Sequence, residues 1–516
     1  MAEQQALNEH SLQTIIMKMQ LNPNLKLTLT DKCLRKVIVY LLNSNEMLSK
    51  IENYKVTIYR ALCDYRSPWR NSVEMEVKNN ISKLPLPEAL KKEMMPIVKP
   101  VSYEILRWKL FHESFIHEDE KYFNKIILKQ LKWTCEGAID HRRTAQALLR
   151  LDVFDLEKRY RLACLYCLEE DIKLLWEQLP EKRKWYYHGG HDTLRVRELQ
   201  LEFYWPYVLL GEESQLPAEN SSFNKHALVC SGRNGNKTVS EYFFRKLTAE
   251  ERDSALLSAL DAAMYRDGRE MVNWPEAHVQ VRLGDVACYF LSLLSPEQQM
   301  RLLRENPCAI LNLLYDWPWH EVFLEIMDVV WTFLPQDQYG TLMDALMHAD
   351  HYFPNLFQKV FIGSPVLFRN YFVDSESRHS IRGHIFPDFF DDHDIETVRV
   401  IFENINHGDV ISLLSSKFVV QLFDEWVMKD SLDMIELCFQ VASLSETDRK
   451  TLRAVYVGFL DSRGDSRCAL VLKEKWKTVF TFLDNVASCN KRISEDETSA
   501  EVKKLCTEEE KNDTEK

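Results

Sequence analysis

Leu294-Ser295-Pro296-Glu297-Gln298-Gln299 ends one apolar helical pattern, turns and opens another, and the phrase returns along the chain. Leu247-Thr248-Ala249-Glu250-Glu251-Arg252, Leu334-Pro335-Gln336-Asp337-Gln338, Ile405-Asn406-His407-Gly408-Asp409 and Leu444-Ser445-Glu446-Thr447-Asp448 take equivalent places, at steps of 47, 40, 71 and 39 residues. The long step reads as two units of about 36 with the marker between them eroded. A helix pair at this period cannot bury its apolar face alone, so neighbouring pairs stack. The expected fold class is all-α, an α-solenoid of stacked helical repeats of roughly 36–47 residues.

Capping chemistry fits that alignment. Thr248 has Glu251 three residues on, and Ser295 has Gln298, each pair forming a capping box in which the two side chains satisfy each other's backbone donors. Ser445 with Asp448 is a shorter version. Pro296 falls at the first helical position, where its missing N–H costs nothing, and Asn306-Pro307 repeats the device. Leu179-Pro180-Glu181-Lys182-Arg183-Lys184 echoes the phrase further upstream.

Working outward, the 516 residues exceed one conventional core and require several domains or an elongated array. Only 14 glycines are present, too few for most all-β folds or glycine-rich nucleotide clefts. Lys and Arg total 65 against 78 Asp and Glu, and the resulting charge of −13 disfavours unassisted binding to nucleic-acid backbones or anionic lipid. No apolar run is long enough for a membrane span, and no basic segment followed by an apolar run opens the sequence. Twelve scattered cysteines, several inside helical patterns, match reduced, intracellular usage; the expected location is cytoplasmic or nuclear.

The expected organisation is an N-terminal helical region at 1–210, a polar linker or insertion at 211–238, the repeat array at 239–490 and a disordered charged tail at 491–516. Within the first region, Pro68, Pro85, Pro87, Pro96 and Pro100 are expected to divide short helices before a stronger one opens at Ser102. Phe154 to Leu179 is expected to form one helix, as is Thr193 to Leu209.

Candidate chemistry is sparse. Gly232 to Thr238 resembles a phosphate loop but lacks the Gly before Lys237 and the correct glycine spacing, so a surface loop is expected. Cys164 and Cys167 have the spacing of a zinc half-site with no second pair nearby, and are expected as buried helix cysteines. His188 and His191 flank two glycines in a loop. His379, His384, Asp388, Asp391, Asp392 and His393 form the sharper cluster, and a metal-dependent hydrolase built there is one alternative function. A single-stranded nucleic-acid module, with Lys182 to Lys184 beside Trp185, Tyr186 and Tyr187, is another.

None of these carries a catalytic residue, a metal or a cofactor as the expected reading. The expected function is an intracellular protein–protein interaction scaffold without catalytic activity, its partner a basic protein or another copy of the chain. The aromatic residues expected to anchor that partner are Trp317, Trp319, Phe386, Phe389 and Phe390.

Overall fold

The computed structural model describes residues 25–54, 69–116, 124–151, 154–188, 193–217, 222–265, 283–348, 352–374, 394–463 and 472–484. Every regular element among them is helical, and the β structure found there is an isolated bridge between Trp133 and Ile139. The expected tail at 491–516, the His188–His191 loop beyond His188, the 379–393 cluster and Phe386, Phe389 and Phe390 lie outside the described residues. The chain forms two compact units, Met1–Leu334 and Pro335–Lys516, so the division falls inside the stretch expected as one array at 239–490.

In the first unit, helix Leu29–Leu42 opens on a capping box between Thr28 and Asp31 and packs against the 29-residue helix Glu88–Ile116. That long helix runs straight through Pro96 and Pro100, contrary to the expected short segments. A proline inside a helix costs about 3 kcal/mol through its lost hydrogen bond and ring clash. Here the same helix buries Met94, Val98, Val101, Ile105, Leu106 and Trp108, enough apolar surface to offset both losses.

Other expected helices are broken. Phe154–Leu179 divides into Leu156–Leu165 and Glu169–Gln178, and Thr193–Leu209 into Thr193–Arg197 and Leu201–Leu209. Each break is a left-handed closure. Cys167 has φ 47° with Leu168 N–H bonded back to Ala163 O, and Leu199 has φ 59° with Gln200 N–H bonded to Arg195 O. Glycine usually takes this position because it lacks the Cβ clash. With cysteine and leucine there instead, the stops are invisible to a reading keyed on glycine.

Within the expected polar linker at 211–238, residues 222–238 are instead helical and packed into the core. Ser222 caps helix Phe223–Arg233, and Asn236 caps Lys237–Lys246. A Cβ on Gly232 would meet Ala259 O at 2.7 Å, so Phe223–Arg233 lies almost backbone to backbone on helix Ala249–Met264. Ala227, Ser231, Ala255 and Ala259 are buried in the same region. Small residues that look like loop composition are what this close approach requires. The capping boxes at Thr248–Glu251 and Ser295–Gln298 are both formed, with Pro296 and Pro307 at helix starts.

The second unit contains two rows of helices. Pro354–Gly363 packs on Ile395–Glu403, which packs on Leu432–Val441. Gln336–His348 packs on Val366–Asp374, then His407–Leu414, then Glu446–Ser462. The start at Val366 subdivides the 71-residue step, 30 residues after Gln336 and 41 before His407. Its marker, Ser364-Pro365, was hidden by that uneven spacing. Ser445 and Asp448 form the expected box, and Tyr456 Oη donates to Leu414 O across neighbouring helices at 3.2 Å.

Candidate functional site: a polar cleft in the first unit

The loop between helices Pro307–Leu314 and His320–Val330 carries Asp316-Trp317-Pro318-Trp319, with a cis bond between Trp317 and Pro318. Trp317 is only 5% exposed. Its indole N–H donates to Gly137 O at 3.1 Å, and the Arg35 guanidinium lies 4.4 Å from its ring centre. Arg35 also donates to Glu136 O at 3.1 Å and to Glu321 Oε1 at 2.9 Å. Trp317 thus fastens three segments together and presents no free aromatic face.

Trp319 is placed differently. It is half-buried, donates from Nε1 to Asp285 Oδ1 at 2.8 Å, and lines a cleft of about 570 Å³. A Cβ at Gly284 would come within 2.7 Å of Trp319 Cδ1, so a glycine there leaves room for the indole against the helix.

The cleft draws on segments far apart in sequence: Glu104 to Phe111, Thr134 to Arg142, Tyr166, Gly235 to Glu241, Asp285 to Ser292, and Pro318-Trp319. Five carboxylates line it (Glu104, Glu136, Asp140, Glu241 and Asp285) against three permanent cations, Arg107, Arg142 and Lys237. Arg107 pairs with buried Asp316 at 3.1 Å. Glu104 accepts from Ile139 N–H at 3.1 Å, which orients the 134–140 segment over the long helix. Lys237 stands 3.8 Å from Glu241, one helical turn on. Phe111, Tyr166, Tyr289 and Trp319 are part of the same lining.

Behind the wall runs a directed hydrogen-bond chain. Trp108 O can only accept, so His112 donates to it from Nδ1 at 2.8 Å and its Nε2 accepts from Tyr166 Oη at 2.9 Å. With that hydroxyl hydrogen committed, His141 donates from Nδ1 to Tyr166 Oη at 3.2 Å. Burial, against a weaker contribution from the Trp108 carbonyl, pushes the His112 imidazole down to about 4, so it stays neutral in the folded protein.

The stretch that resembled a phosphate loop contributes Gly235, Asn236, Lys237 and Thr238 to the lining. It is the end of one helix and the start of the next; no strand precedes it. Asn236 Oδ1 accepts from Val239 N–H at 3.2 Å and its amide donates to Leu165 O at 3.1 Å. Cys164 and Cys167 are buried, and burial pushes both thiols up, away from the thiolate that metal binding needs. Among the described residues no group of three or more His, Cys, Asp or Glu side chains is placed to hold a metal ion, and no helix is long and apolar enough to cross a membrane.

Of the five expected anchors, therefore, Trp319 reaches the cleft and Trp317 supports it from within. Asp285, Tyr289, His141 and Tyr166 carried no sequence signal, because each sits on an ordinary amphipathic helix or turn and acquires its place only through packing. No protein-family model matches the chain, and no curated protein matches it in sequence.

Proposed function

We propose that the chain is a non-enzymatic, intracellular interaction scaffold of stacked helical repeats, and that the cleft of its first unit receives a basic segment of a protein partner. The observation that carries the reading is the cleft lining, in which carboxylates outnumber permanent cations five to three and share the wall with four aromatic side chains. Lysine and arginine side chains are attracted both to carboxylates and to ring faces. The chain's net charge of −13 speeds encounter with such a partner. The solenoid reading is supported by the two rows of helices in the second unit and by formed caps at three of the recurring turns. An array of this kind meets its ordering cost during folding, before a partner arrives.

The test is binding of the full chain to an array of unrelated peptides of matched length that differ in net charge. Lysine- and arginine-rich members should be retained, and the Glu136→Lys, Glu241→Lys double variant should release them while keeping its helical circular-dichroism spectrum. Retention that ignores charge, or that survives both reversals, contradicts the proposal, as does substrate turnover by the purified chain in a metabolite screen.

A further inference from the structure

The helix Glu181–His188 carries a surface feature unrelated to the cleft. Trp185 is 67% exposed and Tyr186 41%, side by side on an eight-residue helix. Tyr187, the next ring, is buried against Tyr160 and Phe203 and fixes the helix in place. Exposed aromatics on a helix held this firmly have given up burial that the neighbouring ring obtains.

Cations are interleaved with these rings. Arg195 donates to Tyr186 Oη at 2.7 Å, and its guanidinium stands 5.6 Å from the Tyr186 ring centre and 4.8 Å from that of Phe203. Lys182, exposed, lies three residues before Trp185 and therefore on the same side of the helix. Arg183 and Lys184 are already paired, with Glu157 and Glu181 at 2.9 Å each. The local surface is thus a basic and aromatic strip on an otherwise acidic chain.

We propose that this strip binds single-stranded nucleic acid, with Trp185 and Tyr186 stacking on bases and Lys182 and Arg195 meeting the intervening phosphates. A single strand alternates planar faces with negative charges, which is the complement of what the helix presents. An acidic peptide would match the cations and leave the two rings without a planar partner. Because only two cations are committed to phosphate, stacking supplies most of the affinity and the salt dependence is shallow.

The experiment is fluorescence anisotropy of a labelled single-stranded oligonucleotide of about 12 nucleotides titrated with the full chain at about 50 mM salt. Trp185→Ala is expected to weaken binding roughly 5- to 150-fold, and raising salt to about 200 mM roughly sevenfold in the unaltered chain. The Trp185 ring is exposed, so the variant's circular-dichroism melting curve should superimpose on that of the unaltered chain. Absence of binding at low salt overturns the proposal, as does equal affinity of the Trp185→Ala variant. So does stronger retention on vesicles containing phosphatidylserine than on the oligonucleotide, which would assign the strip to a lipid surface.

Discussion

The His407 imidazole donates from Nε2 to Asp448 Oδ2 at 2.8 Å, linking two recurring turns at the heads of neighbouring helices in the second unit. Asp448 is at the same time the third helical residue of the box opened by Ser445, and accepts from the Ser445 backbone N–H at 2.9 Å. One carboxylate therefore both starts its own helix and holds the preceding one.

Replacing Ser445 with Ala should destabilise the protein by about 1 kcal/mol, because Asp448 N–H loses its cap, whereas Ser445→Gly should cost only a few tenths. Burial works to raise the Asp448 carboxyl, but the hydrogen bonds from Ser445 and His407 outweigh it and hold it below the usual carboxylate range. A depressed carboxylate contributes stability that is present above its unfolded pKa and is lost as pH falls through the folded value. Urea unfolding followed from neutral pH into acid should show that contribution vanishing in the unaltered chain and absent throughout in Asp448→Asn.

Glycine substitutions separate tight packing from open surface. Gly284→Ala places a Cβ 2.8 Å from Leu313 O and 2.7 Å from the Trp319 ring, so backbone must move. A loss of about 1–3 kcal/mol is expected, with Trp319 displaced from the cleft wall. Gly458 lies inside helix Glu446–Ser462 with nothing within 4 Å of an added Cβ, and Gly458→Ala should stabilise by about 0.5–1 kcal/mol. Thermal melts of the two variants should shift in opposite directions.

The Arg107–Asp316 pair is buried on both sides. Asp316→Ala takes the hydrogen-bonding carboxylate from the buried Arg107 guanidinium, leaving the Glu104 charge still facing it, and should cost about 3 kcal/mol. The Arg107→Met, Asp316→Leu double variant should be no more stable than Asp316→Ala alone, since it also removes the cation that faces the buried Glu104 carboxylate. Chemical denaturation of the three proteins decides the ordering.

His112 makes a second pH-dependent contribution. Its folded pKa, about 4, lies below the ordinary 6.5, so between those values the unfolded chain binds the extra proton. Stability from this group is complete above the unfolded pKa and falls as pH drops toward the folded one, by up to about 3 kcal/mol. His112→Gln should be less stable at pH 7.5 and lose less stability on going to pH 5.

Much of the helical architecture could be read from side-chain spacing. Thr248, Ser295 and Ser445 sit with their N3 partners at the expected helix starts, because a capping box is written within four consecutive residues. What was illegible depended on contacts distant in sequence. Cys167, Leu199 and Asp430 take left-handed positions that glycine normally marks, so helix ends there carry no local signature. Pro96 and Pro100 persist inside a helix because buried neighbours outweigh them. The segment around Gly232 resembles a loop in composition but serves as a close helix contact. The cleft is the extreme case: Glu104, His141, Tyr166, Asp285 and Trp319 meet through folding alone, and of these only Trp319 was marked beforehand.

The most direct test of the proposed cleft is amide hydrogen exchange of the full chain with and without a saturating lysine- and arginine-rich peptide. The account predicts slowed exchange in the segments 134–142, 235–241 and 285–292, and no such change in the Glu136→Lys, Glu241→Lys variant. Unchanged exchange in all three segments while the peptide is bound, with protection appearing only elsewhere, would contradict it.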